Sequence, residues 1–238
     1  MKSKKVSIVC LLLSLSLFVE LGLGFTNVQA AENDNVVTTA EGTESLDSII
    51  DTISEDVSVD QEGVELGDKS TILENINQED INNLNALAEQ QGIEYNQPLT
   101  KESVVQMFEN GIDTINSEVE DGNLEVLSDG SLIESDDEDF YVQGGSTYDK
   151  TYWWGRKRYK STANANKWAS QLNSVGNANA AGAVVAGAVF GGVGAIPNGL
   201  TAAYAYQLQN KVSYRNSLNK RGIVANLTWA LVFTVKSQ

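Results

Sequence analysis

The chain of 238 residues contains no histidine and only one cysteine, Cys10. Without histidine there can be no Ser-His-Asp triad, no histidine metal ligand and no histidine general base. A lone cysteine excludes an intramolecular disulfide. If Cys10 is removed with a signal peptide, a thiol nucleophile and a thiolate metal site are excluded as well. These absences remove many familiar kinds of active site, and the sequence predicts a protein with no enzymatic activity, no cofactor and no metal.

The first 30 residues have the pattern of a secretory signal peptide. Three lysines within residues 2–5 precede an apolar stretch that runs from Val6 to Phe25. Val28-Gln29-Ala30 has the residues expected before a cleavage site, which predicts cleavage before Ala31. A retained membrane anchor is disfavoured by Glu20 within the apolar stretch and by the acidic residues that follow. The mature protein is therefore predicted to be secreted and extracellular.

Positive charge is scarce before residue 140, and negative charge is scarce after it. Residues 31–139 hold 30 acidic and 2 basic residues, a net charge of −28. Residues 140–238 hold 11 basic residues and one acid, Asp149, a net charge of +10. Segments with net charges of opposite sign and this size indicate different partners. We therefore divide the chain into a signal peptide (1–30), an acidic region (31–139) and a basic region (140–238).

The acidic region has amphipathic helical patterns but few aromatic residues. Apolar residues recur at helical spacing within 46–57, 72–88 and 104–119, and Thr100 is the predicted cap of the last helix. An Asp129-Gly130 pair predicts a small hairpin. The run 136–139 lacks the spacing of an EF-hand, so we interpret it as a solvated linker and not as a calcium site. With Tyr95 and Phe108 as its only aromatic residues, the region is expected to be a loosely folded, α-helical pro-region.

All four tryptophans lie after residue 140, which favours the basic region as the site of the main core. The sequence pattern predicts a strand at residues 151–160. It also predicts helices at residues 163–175 and 200–218, on either side of a Gly/Ala-rich helical segment. Residues 223–236 alternate between an apolar and a polar face and predict one long strand. The expected fold class is α+β, with a β-α-α-α-β domain in which two antiparallel strands pair and the helices lie on the face that carries Trp229.

Residues 180–196 contain no polar side chain and are mainly glycine and alanine. Gly187 and Gly191 form a GxxxG pattern that Gly182 extends, and this pattern is typical of close helix packing. A helix of this length spans about 25 Å, which is less than the roughly 30 Å hydrocarbon core of a bilayer. Three interpretations are open: a close-packed core helix, a helix that leaves the fold to insert into a membrane, and a permanent anchor.

Cations lie beside two tryptophans near the start of the basic region. The candidate site for an anionic membrane or a cell-wall polymer comprises Trp153, Trp154, Arg156, Lys157, Arg158 and Lys160. Lysine and arginine are attracted to anionic surfaces, and tryptophan favours the bilayer interface. A solvated strand end is one alternative. A nucleic-acid site, in which the rings stack on bases, is another, although export disfavours nucleic acid as a partner.

Residues 140–238 resemble a group of secreted Gram-positive proteins that are mostly uncharacterised. The resemblance depends on the Gly/Ala-rich helical middle and on Tyr152-Trp153-Trp154-Gly155, Arg221-Gly222, Thr228-Trp229 and Ser237-Gln238. It implies no specific activity. In composition the region is also similar to bacteriocins that permeabilise membranes, although no bacteriocin signature motif is present.

Two functions fit these observations. The first is a secreted precursor of a cationic, membrane-active antibacterial protein, in which the acidic pro-region masks the basic region by charge until cleavage. Such a protein implies an immunity protein as a further partner. The second is a non-enzymatic extracellular binding module for a wall polymer or a protein, with the aromatic strand as its surface. An enzyme is disfavoured because the basic region offers Asp149 alone for acid–base chemistry.

Overall fold

The computed structural model describes residues 39–134, 140–142, 145–177, 182–191 and 200–238. The predicted signal peptide, the acidic run 136–139 and both ends of the Gly/Ala-rich segment lie outside these residues. The described residues form helices and antiparallel sheets, which confirms the α+β class.

Several helices of the acidic region are capped by the side chain of the residue that precedes them. Its elements are α1 (Thr39–Ser54), β1 (Val57–Asp60), β2 (Gly63–Leu66), α2 (Lys69–Asn75), α3 (Gln78–Gln90), α4 (Lys101–Glu120), β3 (Leu124–Val126) and β4 (Leu132–Glu134). Asp68, Asn77 and Thr100 each accept a hydrogen bond from a backbone amide in the first turn of the helix that follows. The cap predicted at Thr100 is therefore confirmed. So is the hairpin around Asp129-Gly130, which joins β3 to β4.

Aliphatic side chains fill the core of the acidic region. Ile53, Ile72, Leu84 and Leu87 are completely buried, and so is the aromatic ring of Phe108. Residues 39–134 therefore differ from the loosely folded segment expected from the shortage of aromatic residues. The expectation overlooked the fact that isoleucine and leucine, recurring on one face of each helix, bury enough apolar surface without aromatic rings.

The basic region contributes most of a larger sheet. Its elements are β5 (Phe140–Val142), β6 (Gly145–Tyr152), β7 (Gly155–Lys160), α5 (Thr162–Gly176), α6 (Gly182–Phe190), α7 (Ala202–Leu218), β8 (Ile223–Thr228) and β9 (Phe233–Ser237). In the described part of the chain the strand order is β3-β4-β6-β7-β8-β9, with β5 paired to β6, and every pairing is antiparallel. The predicted pairing of the two basic segments is confirmed as β7 with β8.

Both predicted strands of the basic region are wrong in extent, because each is interrupted by a turn. Residues 153–154 form the turn between β6 and β7, and Gly155 follows with φ 154°, where a Cβ would collide with the backbone of Leu227. Residues 229–232 turn the chain between β8 and β9, and the Thr228 amide and hydroxyl both donate to the Val232 carbonyl (3.1 and 2.9 Å). In the residues that the structure describes, the expected two-stranded β-α-α-α-β arrangement is thus replaced by a sheet of seven strands.

The hydrophobic core continues across residue 140. Helix α4 places Phe108 against Trp153, with ring centroids 5.5 Å apart. A Cβ at Gly111 of the same helix would collide with the ring of Trp229, so the helix lies directly on that ring. Acidic helices and basic strands therefore share one core.

Hydrogen bonds join the two regions as well. The Gln91 side chain donates to the Phe233 carbonyl (2.8 Å) and accepts from the Phe233 amide (3.0 Å). The Tyr95 hydroxyl donates to the Ala230 carbonyl, and burial raises the pKa of this tyrosine. The described residues accordingly belong to one compact unit, Val37–Gln238, although their charge changes sign within it.

Candidate binding face

Strand β7 divides the predicted cationic cluster between the two faces of the sheet. Arg156, Arg158 and Lys160 point to the face covered by helices, where their side chains are only 4, 10 and 13% exposed. Lys157 points to the opposite face, as expected when successive side chains of a strand alternate. The helix-covered face and the outer face therefore have to be considered as separate sites.

On the helix-covered face the cations surround Asp149. Its carboxylate lies 3.0 Å from Arg158 Nε and 2.7 Å from Lys160 Nζ, and Arg156 pairs with Glu134 at the end of β4. Burial of Asp149 acts to raise the pKa of its carboxyl group, but the nearby cations, Arg158 foremost, outweigh burial and hold the pKa below its ordinary value. The only acid of the basic region thus serves as the counter-ion of the buried cations.

One of these cations, Arg158, also bonds the C-terminal end of α6. Arg158 Nη1 donates to the Val189 carbonyl (2.6 Å), and its guanidinium lies 4.7 Å from the centre of the Trp168 ring. Trp168 Nε1 donates to the Ala188 carbonyl (2.8 Å). The last carbonyls of a helix have no partner within the helix and carry partial negative charge, so these donors satisfy them. In this fold Arg156, Arg158 and Lys160 are largely buried beside internal carboxylates and do not form an exposed anion-binding surface.

Trp153 is buried too, at 7% exposure, and its carbonyl accepts a hydrogen bond from Trp229 Nε1 (2.8 Å). Trp153 therefore belongs to the core and lies outside any surface site. Of the six residues predicted for the membrane or polymer site, only Trp154 and Lys157 are placed on the outer face.

Within the described part of the chain, the three glycines predicted to pack helices together, Gly182, Gly187 and Gly191, make no close contact with another helix. Among the described residues, no atom lies within 4 Å of the position that a Cβ at Gly187 would take, and a Cβ at Gly182 would lie 3.5 Å from the Leu200 carbonyl oxygen. Gly191 follows α6 with φ 82° and faces the guanidinium groups of Arg156 and Arg158. Within the residues that the structure describes, no helix combines the length and apolar character needed to cross a membrane.

The outer face of β6 and β7 carries an ordered ladder of aromatic and cationic side chains. Three cross-strand pairs follow one another along it: Tyr148–Tyr159, Lys150–Lys157 and Tyr152–Gly155. The rings of the first pair are stacked with centroids 4.2 Å apart, and Trp154 stacks on Tyr152 at 5.1 Å with an interplanar angle of 7°. All of these side chains are partly exposed. We call this set of residues the aromatic ladder.

Two lysines lie directly opposite each other within the aromatic ladder. Like charges at such a position destabilise a sheet. Lys150 is partly neutralised by Asp129, whose carboxylate lies 2.8 Å from its Nζ and is 56% exposed, and this hydrogen bond raises the pKa of Lys150. Lys157 Nζ lies 5.5 Å from the centre of the Tyr159 ring. The two ammonium groups therefore lie near solvent, with the Tyr148–Tyr159 stack on one side and the Tyr152–Trp154 stack on the other.

Sequence reasoning missed Tyr148 and Lys150, because the predicted strand began at residue 151. A signal was present, since Ser146, Tyr148, Lys150 and Tyr152 alternate with period two along β6. Among the described residues, no three acidic side chains come together as a metal ion would require.

A scan against protein-family models found no match to the chain. Searches of curated proteins and of solved structures also found none. The features of this chain that bear on its function are therefore the aromatic ladder and the core beneath it.

Proposed function

We propose that the protein is a non-enzymatic extracellular binding protein that attaches to an anionic cell-wall polymer through the aromatic ladder. The observation that carries this proposal is the Lys150–Lys157 pair, which is held between two aromatic stacks at a cost to the stability of the sheet. A pair of this kind is accounted for if an anionic group binds between the two ammonium groups. The extracellular location depends on the predicted signal peptide.

The spacing of the ladder supports a polymer as the ligand. Residues that share one face of a strand follow each other at about 7 Å. The ladder therefore presents an aromatic row, a cationic row and a second aromatic row at regular intervals. Aromatic rings offer flat apolar surfaces for stacking, and ammonium groups donate strong hydrogen bonds to phosphate or carboxylate. A chain that alternates sugar or polyol units with anionic groups fits these rows.

We expect the double variant Lys150→Gln, Lys157→Gln to bind an immobilised poly(glycerol phosphate) polymer roughly 30-fold more weakly than the unaltered full chain. Each lysine near an anionic surface contributes about 1 kcal/mol, and about 1.4 kcal/mol corresponds to a factor of ten. Biolayer interferometry at low and at physiological salt measures this loss, and the variant should also show a weaker dependence on salt.

Lys220→Gln provides the matched control, since Lys220 is exposed in the turn before β8 and lies outside the aromatic ladder. Equal binding by the double variant and this control would remove the aromatic ladder as the site. Binding of the unaltered chain to a neutral dextran with the same affinity would show that the anion has no part in recognition.

A second function, the precursor of a membrane-active protein, is favoured by one specific observation. Helix α4 of the acidic region covers Trp153 and Trp229, so removal of that region would expose a large apolar surface of the basic region. On this view the acidic region masks the basic one by packing and not by long-range charge, which salt screens within about 10 Å.

The second function predicts a difference between intact and cleaved protein. We expect the intact chain to leave anionic vesicles sealed, and a form cut at a protease site introduced into the run 136–139 to release an encapsulated dye from anionic but not from neutral vesicles. Dye fluorescence measures the release. If the cut form, separated from its acidic fragment, also leaves the vesicles sealed, the precursor function is ruled out and the polymer-binding function is unaffected.

A further inference from the structure

We infer that Asp129 determines which anions bind between Lys150 and Lys157, and that it favours a group with one negative charge over a group with two. A phosphodiester that links the units of a polymer carries one negative charge, whereas a phosphomonoester carries about two at neutral pH. The inference rests on the function proposed above and adds to it the chemical class of the anion, the phosphodiester linkage.

The carboxylate of Asp129 is fixed beside the lysine pair through both of its oxygens. Oδ1 accepts hydrogen bonds from the Ser131 amide (3.1 Å) and from the Ser131 hydroxyl, and Oδ2 accepts one from Lys150 Nζ (2.8 Å). Ser131 is completely buried, so its two donors are held in place where the turn between β3 and β4 ends. The negative charge of Asp129 therefore stays beside Lys150.

The lysine pair remains within reach of a ligand. The side chain of Lys150 is 23% exposed, and Lys157 is partly exposed. An ammonium group has three donors, and Asp129 accepts from one of those of Lys150. Lys150 can therefore donate to a bound anion while it keeps its bond to Asp129. An anion between the two lysines then lies close to the Asp129 carboxylate.

The local charge matches a single negative charge. Two ammonium groups and one carboxylate give this part of the aromatic ladder a net charge of +1. An anion with one charge neutralises it, whereas an anion with two leaves one negative charge in excess. The rings of Tyr152 and Tyr159 do not compensate for that excess, because the faces of aromatic rings carry partial negative charge.

The repulsion by Asp129 grows with the charge of the ligand. Coulomb energy is proportional to each of the two charges, so a dianion in the same position is repelled about twice as strongly as a monoanion. The nearby cations Arg156 and Lys160 do not offset this repulsion, since they lie on the other face of the sheet beside carboxylates of their own. Removal of the Asp129 charge should therefore help a dianion more than a monoanion.

Asp129 keeps its charge over the pH range in which a phosphomonoester changes its own. The hydrogen bonds from Lys150 and from Ser131 hold the pKa of Asp129 well below its ordinary value. Lysine and tyrosine side chains titrate near pH 10, and the chain contains no histidine. A phosphomonoester has its second pKa at about 6, so it is mainly a monoanion at about pH 5 and mainly a dianion at about pH 7.5.

Asp129→Asn in the full chain tests the inference with two immobilised ligands, poly(glycerol phosphate) and a dextran that carries phosphomonoesters. Asparagine retains an oxygen for the Ser131 donors, so the turn should be preserved. We expect the variant to bind poly(glycerol phosphate) about threefold more tightly than the unaltered chain. For the phosphorylated dextran we expect a gain of about tenfold at about pH 7.5 and of about threefold at about pH 5. Biolayer interferometry measures each affinity.

Asp113→Asn is the matched control, because it removes the same charge from an exposed position on α4 that lies outside the aromatic ladder. It should leave both affinities unchanged. The inference is overturned if Asp129→Asn binds like this control, or if its gain for the phosphorylated dextran is the same at the two pH values.

The lysine double variant separates this inference from the proposed function. If Lys150→Gln, Lys157→Gln loses binding to poly(glycerol phosphate) but Asp129→Asn gains none, the inference alone is wrong and the aromatic ladder remains the site. If the unaltered chain binds neither ligand, the inference and the proposed function are both wrong.

Discussion

Trp229→Ala is expected to destabilise the whole fold by about 3–5 kcal/mol, the range for truncation of a buried aromatic side chain. Trp229 is 4% exposed, stacks on Phe190 at 5.5 Å and donates to the Trp153 carbonyl. Gly111 of α4 also lies against the Trp229 ring. The substitution therefore opens a cavity between the acidic helices and the basic sheet, and both should unfold together.

Guanidinium unfolding followed by circular dichroism measures this loss, and one transition should report helices and strands alike. Trp154→Ala is the matched control, because Trp154 is only partly buried, and it should lose clearly less stability. Two separate transitions in the unaltered protein would contradict a core shared by the acidic and basic regions. Equal losses in the two variants would contradict the buried position of Trp229.

Asp149→Asn is expected to have an effect of similar size, about 3–5 kcal/mol, because it leaves buried cations without their counter-ion. Asp149 is 8% exposed and lies within 3.5 Å of Arg156, Arg158 and Lys160. Removal of its charge also loosens the contact through which Arg158 holds the end of α6. We therefore expect α6 to become more exposed to amide exchange in this variant than in the unaltered protein.

The pKa of Asp149 fixes the sign of the pH dependence. Although burial acts to raise it, the surrounding cations lower it in the folded state. A lowered folded pKa contributes stability that is fully present above the unfolded value of about 3.9 and is lost as the pH falls through the folded value. The unaltered protein should therefore lose this stability below about pH 4, and Asp149→Asn should lack that part of the loss.

Thermal unfolding between pH 7 and pH 2 tests this expectation. Glu134→Gln is the comparison variant, since the Glu134 side chain is 34% exposed and solvent screens its bond to Arg156. It should cost much less stability than Asp149→Asn. If the two variants have the same stability at pH 7, Asp149 is not the central counter-ion of the cluster.

Local patterns in the sequence predicted the helices well and the strands less well. Thr100 caps α4 and the Asp129-Gly130 turn joins β3 to β4, because side-chain caps and turn residues act within a few positions of each other. The turn at residues 229–232 escaped prediction because its residues are apolar and buried, so the alternating pattern continues through it. Leu231, with φ 67°, gives no sign of a turn in the sequence.

The candidate site was predictable in composition but not in placement. The sequence shows that cations and tryptophans lie close together along the chain. Which of these cations are exposed depends on the register of the strand, since a slip of one residue moves every side chain to the opposite face. Arg158 proved to bind the end of α6, whereas Lys157, one residue earlier, lies in the aromatic ladder. The packing of α4 on the basic sheet depends on contacts between distant residues, and no local pattern reports them.

The bonds between Gln91 and Phe233 join residues 142 positions apart. Contacts of this sequence separation require long loops to close before they are formed, and folding slows as such contacts become more numerous. The core beside the acidic helices is therefore complete only when strand β9 has paired and Phe233 has bonded Gln91. We therefore expect the rate of folding to be set by this topology more than by the helical propensity of the acidic region.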